Sequence, residues 1–477
     1  MIFLVFLLGI LIRFLSIYSS NIIIGFDQAR DLFDAFKIIQ GDLRIIGPTA
    51  GNNVNLHHGV AFLYTLIPPL FLGHNPLFPS LWLAFINALS IIVLYFFAKD
   101  IFKSKRAGLI AAFLAAISYY LVSYSGWISN PGPTLFTVPV FFYAFWKYKT
   151  GKKWFLPGVA FFLGLTIQYE LFFLYLIPTI VVLFLILRIR FPDIKVLLAS
   201  LISFCLITST MIATELKYSF SGVISLFSAG QFVGGEKQNY LVQFIQRFFE
   251  TFGQALTPQL PALGILIALF VIGLILAKPK NNLLFLLIYL FSPALMLFLG
   301  YHNAPWFLIG LPPVIILCTA YALDKIKSNF LLIAVLLLLF ILNTKGPDLL
   351  EPDKAANLKS QIAAMEYTYK VSEGKPFAIN TVTNPLYINA IWAWNYDWYS
   401  KNYGYKPTWI GGDQLPPYDT LQKSEAEDQY LFLIIDKTNR IPPQYTIEAE
   451  ASVKKIGDFI KEQEFGGILV QVYKNRK

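Results

Sequence analysis

The chain has 477 residues, of which 56% are hydrophobic and 14% are charged, and its formal net charge is +10. Because soluble domains usually carry about 25% charged residues, this composition excludes a single soluble globular domain. The segment from Asn343 to Lys477 is nearly neutral, with 16 Lys/Arg and 17 Asp/Glu. The basic surplus therefore lies among the apolar segments, and no nucleic-acid-binding module accompanies it, so nucleic acid is not an expected partner.

Eleven apolar segments precede residue 343, each approaching the roughly 20 residues that a membrane-spanning helix needs. We predict about 11 spans, at 2–19, 77–98, 107–123, 133–147, 154–168, 171–187, 196–213, 261–277, 282–299, 305–323 and 329–343. The first segment has no basic leader and no small-residue cleavage site, so we interpret it as a retained span rather than a signal peptide.

The Lys and Arg residues between these spans are concentrated in alternate breaks. The basic breaks are short and lie at 99–106, 147–153, 188–195, 278–280 and 325–327. The positive-inside rule makes these breaks cytoplasmic. The N-terminus is then cytoplasmic, and the C-terminal segment is extracytoplasmic. Two long loops, 20–76 and 214–260, are predicted on the same outer side.

The first outer loop begins with the pattern of an amphipathic helix. Four charged residues fall on one helical face at i, i+3, i+4 and i+7, namely Asp27, Arg30, Asp31 and Asp34. Asp27 has two interpretations here. It either caps the helix, as Asp commonly does, or serves as a general base or metal ligand at the outer membrane surface. The apolar stretch 59–72 is too short and proline-rich to span, which favours an interfacial or re-entrant helix.

The segment 344–477 has the pattern of a small α/β domain. A helix is predicted over 356–371, and short buried strands over 376–382, 429–435 and 467–472. The stretch 389–405 is rich in aromatic residues, which either pack in a core or stack on a sugar. We therefore predict a mainly α fold, with a transmembrane helical bundle over 1–343 and an extracytoplasmic α/β domain over 344–477.

The order of these parts resembles the GT-C membrane glycosyltransferases. The resemblance is to the branch that contains the protein O-mannosyltransferases and the aminoarabinose transferase of lipid A. It covers residues 1 to about 340 and is carried by short segments: GFDQARD at 25–31, GPT at 47–49, HHG at 57–59, TELKY at 214–218, and YHNAPW at 301–306 leading into LPP at 311–313.

Two positions depart from the pattern of that family. Many members follow the loop-one acid with Glu, where this chain has Gln28. Many also carry a basic residue and an acid in the second outer loop, which here reads SGWISNP at 125–131 and has no ionisable group. A metal site built on that second acid is therefore not expected in this chain.

The resemblance implies a transferase that moves a sugar from a polyprenyl-phosphate donor to an acceptor hydroxyl at the outer membrane face, with inversion. The acceptor is a lipid, a polysaccharide or a protein, and the sequence does not distinguish them. Because the leaving phosphate is already ionised, one carboxylate base suffices, whereas glycoside hydrolysis typically uses two carboxyl groups. The matching residue for that base is Asp27.

Positive or hydrogen-donating groups must hold the phosphate as charge develops on it. The outer-side candidates are Arg30, Arg44, His58 and His302. His58 is preferred over the adjacent His57 because Gly59 lets the backbone approach a ligand closely. A divalent cation, Mg or Mn, would share this work, with Asp31 and Glu215 as candidate ligands or acceptor contacts.

Each phosphate or metal candidate also has a purely structural interpretation. Arg30 would pair with an acid of its own helix, and Arg44 would be a solvated interface anchor. His302 would be a satisfied loop histidine, and Glu215 would pair with Lys217 or be exposed. Glu170, at an outer turn between two spans, receives no role from the sequence.

Two other classes of protein stay open. A transporter or flippase of lipid-linked glycans would place ionisable residues near the middle of the membrane and often shows repeated halves. A structural or partner-binding membrane protein would carry the acidic face of loop one by accident. The charge of this sequence lies at the membrane faces and no halves are evident, which favours the transferase.

Overall fold

The structure is a computed structural model that describes residues 1–19, 22–50, 55–228, 240–277, 280–298, 304–346, 349, 354–424 and 428–476. The chain forms two compact units. The first, called the helical unit below, consists of Met1–Ser16, Arg44–Phe62 and Trp82–Leu350. The second, called the α/β unit, consists of Ile17–Leu43, Leu63–Leu81 and Glu351–Lys477. The predicted domain boundary at 343/344 stays a prediction.

The described residues form mostly α-helices. They are α1 (Ile2–Ser19), α2 (Phe26–Ile39), α3 (Ala61–Leu70), α4 (Leu77–Phe102), α5 (Lys105–Ile117), α6 (Tyr119–Ser125), α7 (Thr134–Lys149), α8 (Leu156–Tyr169), α9 (Leu176–Ile186), α10 (Ile194–Ile207), α11 (Ser209–Lys217), α12 (Ser221–Ser228), α13 (Tyr240–Leu256), α14 (Pro261–Ala277), α15 (Asn281–Phe291), α16 (Pro312–Leu323), α17 (Asn329–Leu342), α18 (Leu358–Ser372), α19 (Ala390–Tyr399) and α20 (Pro443–Lys454). Short 3-10 helices cover Lys153–Phe155, Leu171–Tyr175, Ser292–Phe298, Pro305–Leu308, Lys354–Ala356 and Ser400–Asn402.

Each predicted apolar segment contains helix, but several of these helices are short or broken. Among the described residues, α4 alone is long and apolar enough to cross a membrane as one helix. Three bent pairs raise that number to four if each pair is one span: α5 with α6 at 55°, α10 with α11 at 65°, and α13 with α14 at 102°. The mainly helical fold is confirmed, whereas the count of about eleven spans stays a prediction.

Two of these breaks have an evident physical basis. The sharpest bend precedes α14, which begins at Pro261, and proline both fixes φ and lacks an N–H to continue a helix. At the end of α5, the backbone carbonyls of Ala115 and Ala116 accept hydrogen bonds of 3.1 and 3.3 Å from the buried Arg13 guanidinium. A cation at a helix C-terminus is favourable because the last carbonyls have no partner within the helix.

The α/β unit contains a five-stranded mixed sheet. Its strands are β1 (Phe377–Val382), β2 (Thr408–Trp409), β3 (Tyr430–Asp436), β4 (Gly457–Phe465) and β5 (Ile468–Asn475), in the order β2-β1-β3-β5-β4. The first three strands are parallel, and β5 is antiparallel to β3 and β4. The three predicted strands and the predicted helix at 356–371 are confirmed. The strand β4 was missed because it is an exposed edge strand of mostly polar residues.

Alternate residues of the sheet face two different helices, as the two-residue repeat of a strand requires. Leu431 and Leu433 pack with Val453 of α20, whereas the Phe377 ring packs edge-on against Tyr369 of α18 at 5.0 Å. The aromatic stretch that was predicted either to pack or to bind sugar forms α19, in which Trp394 is 1% exposed. Most of its rings therefore belong to the core of this unit.

The helix predicted at the start of the first outer loop is confirmed as α2, and it belongs to the α/β unit. The Ile24 N–H donates to the Ala356 carbonyl at 2.7 Å, and the Gln361 amide donates to the Ile24 carbonyl at 2.8 Å. Further along α2, the Phe33 ring packs edge-on against Trp394 at 5.0 Å. These contacts fix the start and one face of α2 against the residues that follow 354.

Candidate functional site

Asp27 does not cap α2. The N-cap position is Gly25, and its N–H donates to the Gln28 side-chain oxygen at 3.0 Å, which is one half of a capping box. The residue that departs from the family's Glu therefore takes a capping role. Asp27 lies in the first turn, where a carboxylate still favours the helix dipole, and its side chain is 65% exposed. It is accessible to a substrate.

Arg30 connects the two acids of this helix face. Its Nη1 lies 2.7 Å from Asp27 Oδ1, and its Nη2 lies 2.8 Å from Asp31 Oδ1. Arg30 Nε also donates to Asp31 Oδ1 at 2.9 Å. The structural interpretation of Arg30 as a partner of acids on its own helix is therefore confirmed. Its role as a phosphate contact stays a prediction.

Asp31 differs sharply from Asp27 in its surroundings. Its side chain is 3% exposed, and burial raises the pKa of Asp31 to about 7 although Arg30 acts in the opposite direction. The pKa of Arg30 is also raised, because the charges of Asp31 and Asp27 outweigh its own burial. Asp27 is thus an exposed carboxylate that pairs with Arg30, and the buried Asp31 holds Arg30 in place.

The helical unit contains a cavity of about 250 Å³. Its lining residues are Ile45, Ile46, Asn55, His57, His58, Met211, Thr214, Glu215, Tyr218 and Ser221. Two of the segments that carried the resemblance, HHG at 57–59 and TELKY at 214–218, therefore meet here. Of the predicted site residues, His58 and Glu215 are brought together. Arg44 is half-buried and directly precedes the lining residues Ile45 and Ile46.

The segments 47–50 and 56–59 pair with each other beside this cavity. The His58 N–H donates to the Pro48 carbonyl at 2.9 Å, and His57 Nδ1 lies 3.1 Å from the Gly47 carbonyl oxygen. A Cβ at Gly47 would come within 2.3 Å of the Gly59 carbonyl oxygen. The glycines at these two positions therefore permit the close backbone approach that holds both histidines.

Glu170 is the functional candidate that the sequence did not reveal. It follows α8 and is 7% exposed, and its Oε1 lies 3.2 Å from His58 Nδ1. Burial raises the pKa of Glu170 to about 8, although the backbone N–H groups of Leu171 and Phe172 act in the opposite direction. The sequence signal was an acid between two apolar segments, but nothing local linked it to His58.

Glu215 has a partner at the start of α12. Its Oε2 accepts a hydrogen bond of 3.0 Å from the Val223 N–H, a favourable place for a carboxylate. Among the described charged residues, no ion pair joins Glu215 to Lys217. The Lys217 ammonium instead lies 5.4 Å from the centre of the Tyr218 ring, which lines the cavity.

The predicted metal ligands Asp31 and Glu215 stay a prediction. Asp31 is paired with Arg30, and Glu215 accepts a hydrogen bond from the Val223 N–H. Over the described residues, no group of three His, Cys, Asp or Glu side chains comes together. His302 lies outside the described residues.

Another charged group, within the α/β unit, was not predicted. Asp397 of α19 bonds to His74 Nδ1 and to the Lys406 ammonium. The His74 ring stacks on Trp394 at 5.1 Å, and Phe36 meets it edge-on at 4.2 Å. Burial acts to raise the pKa of Asp397, but the hydrogen bonds from His74 and Lys406 prevail and hold it at about 2. This group is a structural link.

No protein-family model and no curated protein sequence matches this chain. Solved structures do match it. ArnT from Cupriavidus metallidurans bound to undecaprenyl phosphate has a TM-score of 0.60 at 10% identity, covering 98% of this chain and 97% of that chain. The same protein in the apo state has a TM-score of 0.59 at 12% identity, with the same coverage. The archaeal oligosaccharyltransferase AglB from Archaeoglobus fulgidus has a TM-score of 0.47 at 13% identity, covering 100% of this chain and 74% of that chain.

The two ArnT similarities establish the fold of the chain. It has the GT-C fold of membrane glycosyltransferases, and the resemblance predicted from the sequence is confirmed at that level. Within that class, the ArnT structures match nearly the whole length of both chains. The match extends through the C-terminal α/β part, beyond the residues that carried the resemblance in sequence.

Proposed function

We propose that this chain is a multi-pass membrane glycosyltransferase that uses a sugar on a polyprenyl phosphate. The observation that carries the proposal is the fold it shares with ArnT over 98% of its length. One of those ArnT structures binds undecaprenyl phosphate. The exposed carboxylate of Asp27, at the position where the family has its acid, agrees with the proposal. The acceptor is a lipid, a polysaccharide or a protein that offers a hydroxyl group.

Asp27 is the proposed general base. The acceptor oxygen attacks the anomeric carbon of the donor sugar and its proton passes to the Asp27 carboxylate. The bond between that carbon and the phosphate oxygen breaks, and the electron pair leaves with the phosphate. Attack opposite the leaving phosphate inverts the anomeric centre. A positioned base of this kind contributes about 10² to 10⁴ in rate.

The cavity of the helical unit is the proposed site of the donor phosphate. His58 lines it, and an imidazole N–H or imidazolium donates to a phosphate oxygen as charge develops on that oxygen. Arg30, Arg44 and His302 are proposed as further phosphate contacts. Asp31 and Glu215 stay as proposed contacts of the acceptor or of a divalent cation. Removal of divalent ions with EDTA, followed by addition of Mg²⁺ or Mn²⁺, tests the cation.

The proposed location is the plasma or inner membrane, with the N-terminus cytoplasmic and residues 344–477 outside. The apolar helices support a membrane location. The orientation depends on the basic breaks between spans, which the positive-inside rule assigns to the cytoplasm. The long loops at 20–76 and 214–260 and the C-terminal segment would then all face the side where a lipid-linked sugar donor is presented.

The Asp27→Asn variant tests the proposed function. Purified protein in vesicles is given polyprenyl-phosphate sugars with lipid, polysaccharide and peptide acceptors, and the release of free polyprenyl phosphate is measured. We expect transfer by the unchanged protein and a loss of at least about 10²-fold in the variant, because the general base is removed.

The matched control is Asp42→Asn, at an exposed aspartate shortly after α2, which should keep its activity. Full activity in a folded Asp27→Asn variant would remove Asp27 as the base. If the protein moves the intact donor across the vesicle membrane and releases no phosphate from it, the proposed function is wrong and the flippase alternative is favoured.

A further inference from the structure

Glu170 contacts His58, which lines the cavity proposed for the donor phosphate. The two side chains are 10% and 11% exposed, and Glu170 Oε1 lies 3.2 Å from His58 Nδ1. The Leu171 N–H lies 3.4 Å from the same ring nitrogen. His58 is at the same time a lining residue of the cavity. One nitrogen of this imidazole is therefore engaged by the protein, while the ring as a whole borders the cavity.

The backbone around His58 is also held firmly. A Cβ at Gly59 would come within 2.9 Å of the Gln168 Cα atom, which is backbone and cannot move aside, so glycine permits this approach. The Gln168 amide donates to the Ile207 carbonyl at 2.7 Å and to Thr210 Oγ1 at 2.9 Å. Two residues of the α8 end, Gln168 and Glu170, thus fix the backbone and the ring of the 57–59 segment.

The contacts of Nδ1 favour hydrogen on the other ring nitrogen. The Leu171 N–H donates to Nδ1, so Nδ1 of a neutral ring is an acceptor and Nε2 carries the hydrogen. A protonated Glu170 carboxyl also donates to Nδ1 and leaves the same tautomer. An ionised Glu170 carboxylate would instead accept from Nδ1–H, and Nε2 of a neutral ring would then carry no hydrogen. With Nδ1 as the acceptor, His58 presents an Nε2–H, which is a donor suited to an anion.

We propose that Glu170 is a positioning residue of the donor site, which holds His58 as an Nε2–H donor for the phosphate of a polyprenyl-phosphate lipid. The proposal rests on the proposed function for the identity of that lipid. Glu170 acts through His58 and does not contact the phosphate itself. Its proposed role is comparable to that of the carboxylates that orient histidine ligands at metal sites. Mutation of such a carboxylate typically costs about 10- to 100-fold in affinity or activity.

A buried carboxyl beside a phosphate site would repel the ligand if it were ionised and unpaired. Burial raises the pKa of Glu170 to about 8, so its carboxyl is mostly protonated and uncharged near neutral pH. The phosphate therefore meets a hydrogen donor without an uncompensated negative charge behind it.

The first test measures the binding of undecaprenyl phosphate to the full-length protein in detergent. The variants are Glu170→Leu, Glu170→Gln, His58→Ala and the double variant Glu170→Leu/His58→Ala, and the control is Glu448→Leu at an exposed glutamate of α20. We expect Glu170→Leu to weaken binding by about tenfold or more, as for a lost hydrogen bond to a charged group. Glu170→Gln should recover most of that loss, because its amide can donate to Nδ1.

The double variant should bind no more weakly than His58→Ala alone, because Glu170 acts only through His58. Unchanged binding in a folded Glu170→Leu variant would overturn the proposal. So would losses that multiply in the double variant, or an unchanged protein that does not bind undecaprenyl phosphate.

The second test needs no variant of Glu170, so a folding defect in the Glu170 variants does not affect it. The chain has four histidines. In ¹⁵N-histidine-labelled protein, nitrogen NMR shows whether Nδ1 or Nε2 of each ring carries hydrogen. The His58 signals are assigned as those that are lost in His58→Ala. A protonated Nε2 is expected, and a deprotonated Nε2 would overturn the proposal. If the binding results hold but no sugar is transferred from any donor, the positioning role stands and the proposed transferase function fails.

Discussion

At the residue scale, the acids of the outer segments separate into accessible and buried groups. Asp27 is 65% exposed and Asp31 is 3% exposed, although they are four residues apart on one helix. The sequence predicted the shared face from its spacing. It did not predict which carboxyl stays accessible, because that depends on the packing of α2 within the α/β unit.

Asp31 gives the stability of the protein a defined pH dependence. Its pKa is raised to about 7 in the folded protein, against about 3.9 in an unfolded chain. The folded state therefore binds this proton more tightly, and its contribution to stability falls as the pH rises from about 4 through 7. The effect is at most about 1.4 kcal/mol per pH unit.

The measurement is the thermal midpoint in detergent between pH 5 and pH 8, for the unchanged protein and for Asp31→Asn. We expect the midpoint of the unchanged protein to fall further over this range than that of the variant, which lacks the titrating carboxyl. The Asp42→Asn variant serves as the control and should follow the unchanged protein. Parallel falls in all three proteins would contradict the assignment of the pH dependence to Asp31.

Glu170 shows where residue-level prediction from the sequence ends. Acids at spacings of three or four residues are linked by helical geometry, so the Asp27 face could be predicted. The partner of Glu170 is His58, 112 residues earlier in the chain, and no local pattern connects the two. The same limit applies to the link between His74 and Asp397.

At the element scale, the apolar segments were predicted well and their interruptions were not. Apolar length predicts where a helix lies. At the break between α5 and α6, however, the carbonyls of Ala115 and Ala116 accept hydrogen bonds from Arg13, which lies more than 100 residues earlier in the chain. The buried strands β1, β3 and β5 were evident from their continuous apolar runs. The edge strand β4 consists mostly of exposed polar and charged residues instead, so its composition does not indicate a strand. It forms a strand through its pairing with β5.

The link between His74, Asp397 and Lys406 is expected to stabilise the α/β unit. Asp397→Asn removes the charge that both partners bind and should cost about 1–3 kcal/mol, as for hydrogen bonds to charged groups. Because the pKa of Asp397 is held at about 2, its contribution is present above pH 4 and is lost as the pH falls towards 2.

This stability is measured by thermal unfolding at pH 7, with Asp413→Asn at an exposed position as the control. The Asp397→Asn variant should unfold at a lower temperature, and the control should match the unchanged protein. Equal midpoints for the two variants would show that the link contributes nothing to stability.

At the scale of the whole molecule, the fold class was predictable, but the set of segments that forms each of the two units was not. The sequence separates apolar and soluble parts by composition, near residue 343. The structure adds α2 to the α/β unit through hydrogen bonds such as that between Ile24 and Ala356, more than 300 residues apart. Composition cannot reveal such a contact, because an amphipathic helix of this kind fits either part equally well.

The topology of the chain is a separate prediction for the whole molecule. A reporter fused after Lys477 should give an outside signal, with alkaline phosphatase active and a fluorescent-protein fusion dark. The reason is the basic bias of alternate breaks, which places them in the cytoplasm. The matched control places each reporter in the basic break at 147–153, where the signals should reverse. A cytoplasmic signal after Lys477 would contradict both the eleven-span topology and an outward-facing site.

The central claim is that this chain holds the phosphate of a polyprenyl lipid at its outer side. The most direct measurement is an electron cryo-microscopy structure of the full-length protein in nanodiscs with undecaprenyl phosphate. We predict phosphate density within hydrogen-bond distance of His58, in the cavity that His57, Thr214 and Tyr218 also line. Phosphate density that contacts none of the residues lining that cavity would contradict the account.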